Sequence, residues 1–279
     1  MKTAIVTDST AYITKEVRDK YDIHMIPLTV VFDNEIYEEE VDLQAGQFYE
    51  EVKSKALPTT SQPSIGKFAE LFEQLSKEYD EVISIHLSSG ISGTYQGAIT
   101  AGNMVDNINV FAFDTEISCM VQGFYAIEAA KLAKSGKTAA DIIPVLEELK
   151  NTSHAYFMVD DLAHLQRGGR LSSAQALIGS LLQVKPLLHF ADKVIVPFEK
   201  IRTRKKAMKR IVDLLAEATN GEEYQAVIIH ANREEEAHEW KAELVERFPN
   251  IEFSISYFGA VIGTHLGEGS MGLGWMKKI

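Results

Sequence analysis

Cysteine is almost absent from this chain: Cys119 is the only one in 279 residues. A lone thiol forbids an internal disulfide and any multi-cysteine metal site, and it fits a reducing compartment. No run of about 18 apolar residues occurs, so no transmembrane helix is expected. The apolar stretch after Met1 is too short for a secretory leader, and a cytoplasmic location is expected. Positive charge is in deficit, with 28 Lys and Arg against 40 Asp and Glu and a net charge of −12. So acidic a surface repels a phosphate backbone, which argues against generic nucleic-acid binding. The seven prolines are scattered and mark no long linker. At 46% hydrophobic and 24% charged, the chain is globular, with length for one large or two medium domains.

The first half alternates strand and helix patterns. Apolar strands are expected at Ala4–Thr7, Met25–Phe32, Glu81–Leu87 and Ile108–Phe113. Helical spacing falls between them, over Thr14–Lys20, Leu43–Lys53, Ser64–Lys77 and on to about Met104, then roughly 117–134 and 138–150. Asp33-Asn34 is turn chemistry that returns Glu35–Val41 as a partner strand. Pro58–Ser64 reads as irregular, with Ser64 capping the helix after it. Alternation of this kind implies a parallel sheet covered on both faces.

The second half changes style. His154–Val159, Gln225–His230 and Ile251–Phe258 read as strands, and Leu187–Phe190 with Val194–Pro197 as a hairpin. Ser172–Leu182, Arg204–Ala218 and Glu234–Phe248 read as helices, and Gly259–Gly274 as a flexible glycine-rich end. The expected architecture is an α/β fold: a larger parallel-sheet, three-layer domain over residues 1–152 and a smaller α+β domain over 153–279.

Two hydroxyl-rich loops carry the most chemistry. Ser88-Ser89-Gly90-Ile91-Ser92-Gly93-Thr94 leaves the C-terminal end of a strand and opens a helix. Ligands bind at that edge of doubly wound sheets, and free amides at a helix N-terminus favour an anion. The same residues also read as an ordinary N-cap with turn glycines. Pro58-Thr59-Thr60-Ser61-Gln62-Pro63-Ser64 is a second cluster, held between prolines of fixed φ; it suits a small polar ligand group or simply feeds the cap at Ser64. His265, in the glycine-rich end, can donate to an anion or act as a base.

Several motif matches fail on context. Gly267-x-Gly269-x-x-Gly272 has the dinucleotide spacing but no βαβ unit to hold it. Gly136-Lys137-Thr138 ends like a phosphate-binding loop, yet Lys131 stands where its first glycine belongs. His238-Glu239 lacks the second histidine, because position 242 is Ala242. Gly90-Ile91-Ser92-Gly93 is one residue short of a nucleophile elbow. No cluster has metal-ligand spacing, so neither a metal nor a cofactor is expected.

Basic residues gather in one window. Lys200, Arg202, Arg204, Lys205, Lys206, Lys209 and Arg210 are seven positive charges in eleven residues with no acid among them. The lysines read as a solvated helix face. Arg167, Arg170 and Arg202 stand at turns and are better placed for directed contacts with an anionic partner. Ala176–Leu182 and Pro186-Leu187-Leu188 are apolar enough to line an alkyl pocket or to be plain core.

Thr7-Asp8-Ser9-Thr10, Thr60-Ser61-Gln62-Pro63-Ser64, Ser88–Gln96, Asp114-Thr115, Arg167-Gly168-Gly169-Arg170-Leu171-Ser172, Lys185-Pro186-Leu187 and Gly263-Thr264-His265 occur in this order across the whole length. The combination resembles the DegV family, whose members bind fatty acids. The resemblance implies one long-chain fatty acid buried between the two domains. It places the carboxylate on the Thr60 and Ser92 hydroxyls and the Gly93 amide, with His265 close by. It further implies a carrier without catalysis of its own, which presents the acid to a separate ATP-binding fatty acid kinase subunit. The acyl phosphate would stay with the carrier until phospholipid synthesis, with Arg170 and Arg202 at the kinase or phosphate contact. Transient membrane contact would serve lipid exchange. Two other readings stand beside this one: a hydrolase or acyltransferase using Ser92 and His265, and a nucleic-acid-binding regulator using the window around Arg204.

Overall fold

The computed structural model describes residues 1–171 and 185–279. The helix expected over Ser172–Leu182 and the apolar run Ala176–Leu182 lie outside the described residues.

Strand β1 (Thr3–Asp8) ends in a 3-10 turn, and α1 (Lys15–Tyr21) leads to β2 (Ile23–Ile26). The expected single strand Met25–Phe32 is in fact split. Pro27 has no N–H to give to a ladder, and β3 (Thr29–Phe32) leaves for another sheet. It pairs antiparallel with β4 (Glu35–Glu38), through the expected Asp33-Asn34 turn, where both residues have positive φ. After α2 (Ala45–Glu51), the segment Pro58–Ser64 departs from expectation: Thr59–Ser61 is strand β5, paired antiparallel with β3. The flanking prolines stay outside the ladder, and β-branched Thr59 and Thr60 suit it.

Helix α3 (Ile65–Leu75) starts at Ser64, whose hydroxyl accepts from the Lys67 amide. Then come β6 (Glu81–His86), α4 (Thr94–Gly102), β7 (Asn109–Asp114), α5 (Cys119–Lys134) and α6 (Ala139–Leu149). The parallel sheet has the order β2-β1-β6-β7. Strands β1 and β6 are buried at every residue, because helices cover both faces. Ala4, Val6 and Val82 pack with Phe68, Phe72 and Ala98 on one side. Their neighbours Ile5, Ile83 and Ile85 pack with Ala126, Ala129 and Ile142 on the other.

The second half builds a six-stranded sheet from β8 (His154–Met158), β9 (Lys185–Ala191), β10 (Val194–Ile201), β11 (Tyr224–His230), β12 (Ile251–Tyr257) and β13 (Met271–Lys277). Its order is β10-β9-β8-β13-β11-β12, and only β11 and β12 run parallel. Helix α7 (Ala163–Arg167) follows β8. Helices α8 (Arg204–Thr219) and α9 (Glu234–Arg247) cover one face through Ile211, Leu215, Trp240 and Leu244. The opposite face packs on α5. A Cβ at Gly274 would stand 2.2 Å from Val121 Cγ2, so this central strand needs glycine where α5 lies on it.

The end of the chain corrects the sequence reading. Residues 259–274 are ordered: Ala260–Leu266 is helix α10, and β13 fills the middle of the sheet. The N-terminus of α10 is tied to the first half by Glu39, which is fully buried. Its carboxylate accepts from the Ser9 hydroxyl at 2.6 Å, the Tyr12 hydroxyl at 3.0 Å and the Val261 amide at 2.7 Å. Burial pushes its pKa from 4.5 up to about 7, against the pull of those donors. A Cβ at Gly259 would meet the Tyr12 ring at 2.2 Å, so the joint admits no side chain there.

A carboxyl with a raised folded pKa stabilises the fold at low pH, and that contribution is lost as pH rises through the folded value. The urea midpoint of the wild type is therefore expected to fall between about pH 4.5, the ordinary carboxyl value, and about pH 7, and to level off above it. Glu39→Gln should remove that component. An identical pH slope in the variant would mean that Glu39 is ionised throughout.

Candidate functional site

Beneath α10, between the parallel sheet and the six-stranded sheet, lies a cavity of about 290 Å³. Thr60 reaches it from β5. Ser92 and Gly93 reach it from the loop into α4, His265 comes from α10, and Arg170 from the turn after α7. Three segments far apart in sequence thus bring the expected carboxylate-binding residues to one cavity, and a fourth brings Arg170. Arg202 is exposed beyond β10 and is not in the lining of this cavity.

The polar end is built around a histidine. His265 Nε2 and Thr60 Oγ1 share a hydrogen bond of 2.8 Å. Its Nδ1 is buried and has no partner. Burial, with the nearby Arg170 charge and His164, holds the His265 pKa down to about 4, so the ring is neutral at physiological pH. Ser92 Oγ is 2.8 Å from Thr94 Oγ1 and accepts from the Thr94 amide at 3.3 Å. Gly93, at the N-cap of α4, has no side chain to bond the first turn, where only the Thr94 amide is taken by Ser92 Oγ among the described side-chain bonds. The helix start therefore keeps amide donors and the positive end of its dipole at the cavity wall. Gln62, on the other loop, closes over Gly93: a Cβ there would meet Gln62 Oε1 at 2.1 Å.

The rest of the wall is apolar. Leu28, Leu87, Phe157, Phe190, Ile195 and Ile229 contribute, with Phe258, Val261, Ile262 and Leu266 from the α10 region. Of the two readings open for Leu187 and Leu188, plain core is the one observed, and Phe190 and its cross-strand partner Ile195 line the cavity. Cys119 also lines it, and burial pushes its thiol up to about 12, far from a reactive thiolate.

Sequence reasoning missed Gln62, Ser118 and the apolar lining. Only Gln62 had a local signal, since it lies inside the Thr60–Ser64 motif. Elsewhere, Ser84, His86 and Asp8 form a hydrogen-bonded chain, with Ser84 Oγ to His86 Nε2 at 2.7 Å and His86 Nδ1 to Asp8 Oδ2 at 2.9 Å. The three residues are completely buried, so the chain resembles a hydrolytic triad without access to substrate. Burial alone would raise Asp8, but donors from His86, Thr10 and Gln122 hold it below the usual carboxylate range. Among the described residues no His, Cys, Asp or Glu group could hold a metal, and no helix is long and apolar enough to cross a membrane.

The geometry has relatives. A family model described as "Uncharacterised protein, DegV family" matches residues 2–278. Protein DegV of Bacillus subtilis (strain 168) is 64% identical over 281 residues and covers 100% of both chains. A crystal structure of DegV from Bacillus subtilis, described as a fatty acid binding protein, superposes with a TM-score of 0.95 at 64% identity over 100% of each chain. That of a fatty acid binding DegV family protein from Streptococcus agalactiae gives 0.91 at 33% identity, again over 100% of both.

Gly168 lies against the histidine, and a Cβ there would stand 2.2 Å from His265 Nδ1. Gly168→Ala is expected to push the ring off Thr60 while leaving the sheets intact. In 15N NMR the wild-type ring should show a neutral pattern at about pH 6. A wild-type ring that titrates near 6.5 would contradict the buried geometry, and an unmoved ring in the variant would contradict the wedge.

Proposed function

This chain belongs to the DegV family, and from that membership we propose that it binds one long-chain fatty acid and presents it to a kinase. The observation that carries the reading is the polarity of the cavity: a long apolar wall with hydroxyl, amide and imidazole groups gathered at one end. A carboxylate taken out of water without donors costs several kcal/mol. An alkyl chain returns about 0.8 kcal/mol for each buried CH₂. A fatty acid meets both demands in one orientation, carboxylate at Thr60, Ser92, Gly93 and His265, tail among the apolar side chains.

The neutral histidine orients the hydroxyl. With its proton on Nε2, His265 donates to Thr60 Oγ1, and the Thr60 proton turns to the carboxylate. The Gly93 amide and Ser92 hydroxyl supply further donors. These favour the ionised acid, which is the nucleophile required for phosphoryl transfer. A carboxylate oxygen attacks the terminal phosphorus of ATP held by a separate kinase subunit, the bond to ADP breaks, and ADP leaves. The carrier needs no nucleotide site and no base for this step. Arg170, beside the carboxylate end, and Arg202 are assigned to the kinase contact or the phosphate. In this reading the division at 152/153 separates two units that close over the ligand. The protein works in the cytoplasm, meets the membrane transiently and feeds acyl phosphate to phospholipid synthesis.

A hydrolase built on Ser92 and His265 is not favoured. The imidazole bonds Thr60, its pKa of about 4 makes it a weak base at neutral pH, and no carboxylate orients its Nδ1.

Native mass spectrometry of the purified protein is expected to show one bound fatty acid per chain. Thr60→Val with Ser92→Ala should abolish its retention while thermal melting stays cooperative; unchanged occupancy would refute the carboxylate assignment. Arg170→Ala and Arg202→Ala should keep the lipid and lower its phosphorylation about tenfold or more by the partner kinase. Loss of lipid in either would make that arginine a ligand of the carboxylate instead.

A further inference from the structure

The loop that carries Ser92 and Gly93 is held from the other half of the chain. Its anchor is Ser88, which is fully buried. The Ser88 amide donates to the Ile117 carbonyl at 2.7 Å. Its own carbonyl accepts from the Ile91 amide at 3.1 Å and the Ser92 amide at 3.2 Å. The hydroxyl accepts from the Gly90 amide at 3.3 Å and donates to the Lys193 carbonyl at 2.6 Å. Lys193 stands at the turn between β9 and β10, so the hairpin is seated on the loop. The approach is close: a Cβ at Gly90 would stand 2.2 Å from the Lys193 carbonyl oxygen and 2.9 Å from Lys193 Cβ. Only glycine leaves room for it.

The Lys193 side chain makes a second contact with the same loop. Its ammonium donates to Asp114 Oδ2 at 3.0 Å and lies 3.6 Å from Glu116. Asp114 Oδ2 also accepts from the Ser89 hydroxyl at 2.5 Å. Asp114 Oδ1 accepts from the Ser89 and Glu116 amides, each at 3.1 Å. Burial alone would raise the Asp114 pKa, but the Ser89 and Lys193 side chains and those amides hold it below the usual carboxylate range. Lys193 occupies this place at a conformational cost. Asp192 and Lys193 have φ of +48° and +71°, as in the two-residue hairpin turn whose second position suits glycine. A lysine there, with its ammonium on a nearly buried carboxylate, points to a use for the side chain. The strands leaving the turn carry Phe190 and Ile195 to the cavity wall. One hairpin thus touches both the loop at the head group and the wall around the tail.

We propose that Lys193 is a positioning residue for carboxylate binding. Its carbonyl on Ser88 and its ammonium on Asp114 fix the loop so that the Ser92 hydroxyl and the Gly93 amide face the carboxylate. The inference rests on the carrier reading above. Lys193 is not in the lining of the fatty-acid cavity, so it acts through the loop. Donors already in place need no ordering when the acid arrives, and affinity rises accordingly. The effect is confined to the head group. A fatty alcohol brings no charge for those donors, while its tail meets the same wall. The ion pair also has a field, and its two partners separate field from position. The field of Asp114 opposes an anionic ligand, whereas its bonds to Ser89 and Lys193 hold the loop in place.

The test uses two probes in competition with a fluorescent fatty acid: palmitate and hexadecanol, which share one tail. Lys193→Gly relaxes the turn and removes the ammonium. It should leave the melting midpoint unchanged or higher, weaken palmitate about tenfold and change hexadecanol by no more than about twofold. Asp114→Asn should also weaken palmitate, although its field alone would tighten it. The double variant should lose little beyond either single one, as members of one contact require. In 15N NMR the Gly93 amide should shift when palmitate saturates the wild type, and shift less in Lys193→Gly. Equal weakening of palmitate and hexadecanol would make Lys193 structural only and overturn the proposal. Unchanged palmitate in Lys193→Gly, or tighter palmitate in Asp114→Asn, would overturn it as well and leave the carrier reading standing. Failure of palmitate and the fluorescent acid to bind the wild type would instead remove the carrier reading itself.

Discussion

The joint at Glu39 is the interaction on which the arrangement depends. A single buried carboxylate gathers Ser9 from the turn after β1, Tyr12 beside it and the Val261 amide at the start of α10. The Ser9 hydroxyl also accepts from the Leu28 amide at 3.1 Å, which fixes a residue of the cavity wall. Helix α10 in turn carries Val261, Ile262, His265 and Leu266 to that wall. The position of the one histidine at the polar end is thus set by an acid more than 200 residues earlier in the chain. Such a group is costly to bury, and its raised pKa measures that cost. Three donors reduce the cost, and Gly259 makes room for them.

Much of the architecture was legible in the sequence, because burial on both faces leaves continuous apolar strands and caps leave hydroxyls at helix starts. Strands β1, β6 and β7, the Ser64 cap and the hairpin of β9 with β10 all follow local rules; its turn, read around Ala191-Asp192, falls one residue later at Asp192-Lys193. The failures have particular causes. Pro27 divides one apolar run between two sheets, a choice made by partners that local pattern does not reveal. Thr59–Ser61 becomes a strand because β3 needs a second neighbour. The glycine-rich end looks flexible in isolation, yet Gly263 lies on Tyr49 and Phe48, and Gly272 and Gly274 lie on Phe157 and Val121. Those glycines are packing requirements, fixed by side chains elsewhere in the chain.

The candidate site was legible at its polar end and obscure along its walls for a related reason. Hydroxyls beside glycine and proline stand out against a globular background, so the Thr60 and Ser92 loops are each distinct in the sequence alone. An apolar residue gives no such contrast. Leu188 in the core and Phe190 at the cavity stand two positions apart on one strand, both in apolar surroundings. Alternation puts both on the same face of the sheet, and only the packing around each decides which of them lines the cavity.

The polar end also explains why a binding protein would use a histidine that hardly ever charges. A cationic imidazole would pair with a carboxylate strongly and hold it after its oxygen has become part of a larger anion. A neutral ring, kept so by burial and by Arg170, donates a directional hydrogen bond through Thr60 without fixing the charge in place. Permanent positive charge stands beside it on Arg170, which the Ile91 and Gly168 carbonyls orient without cancelling. The gradient runs from apolar wall, through neutral donors, to full charge.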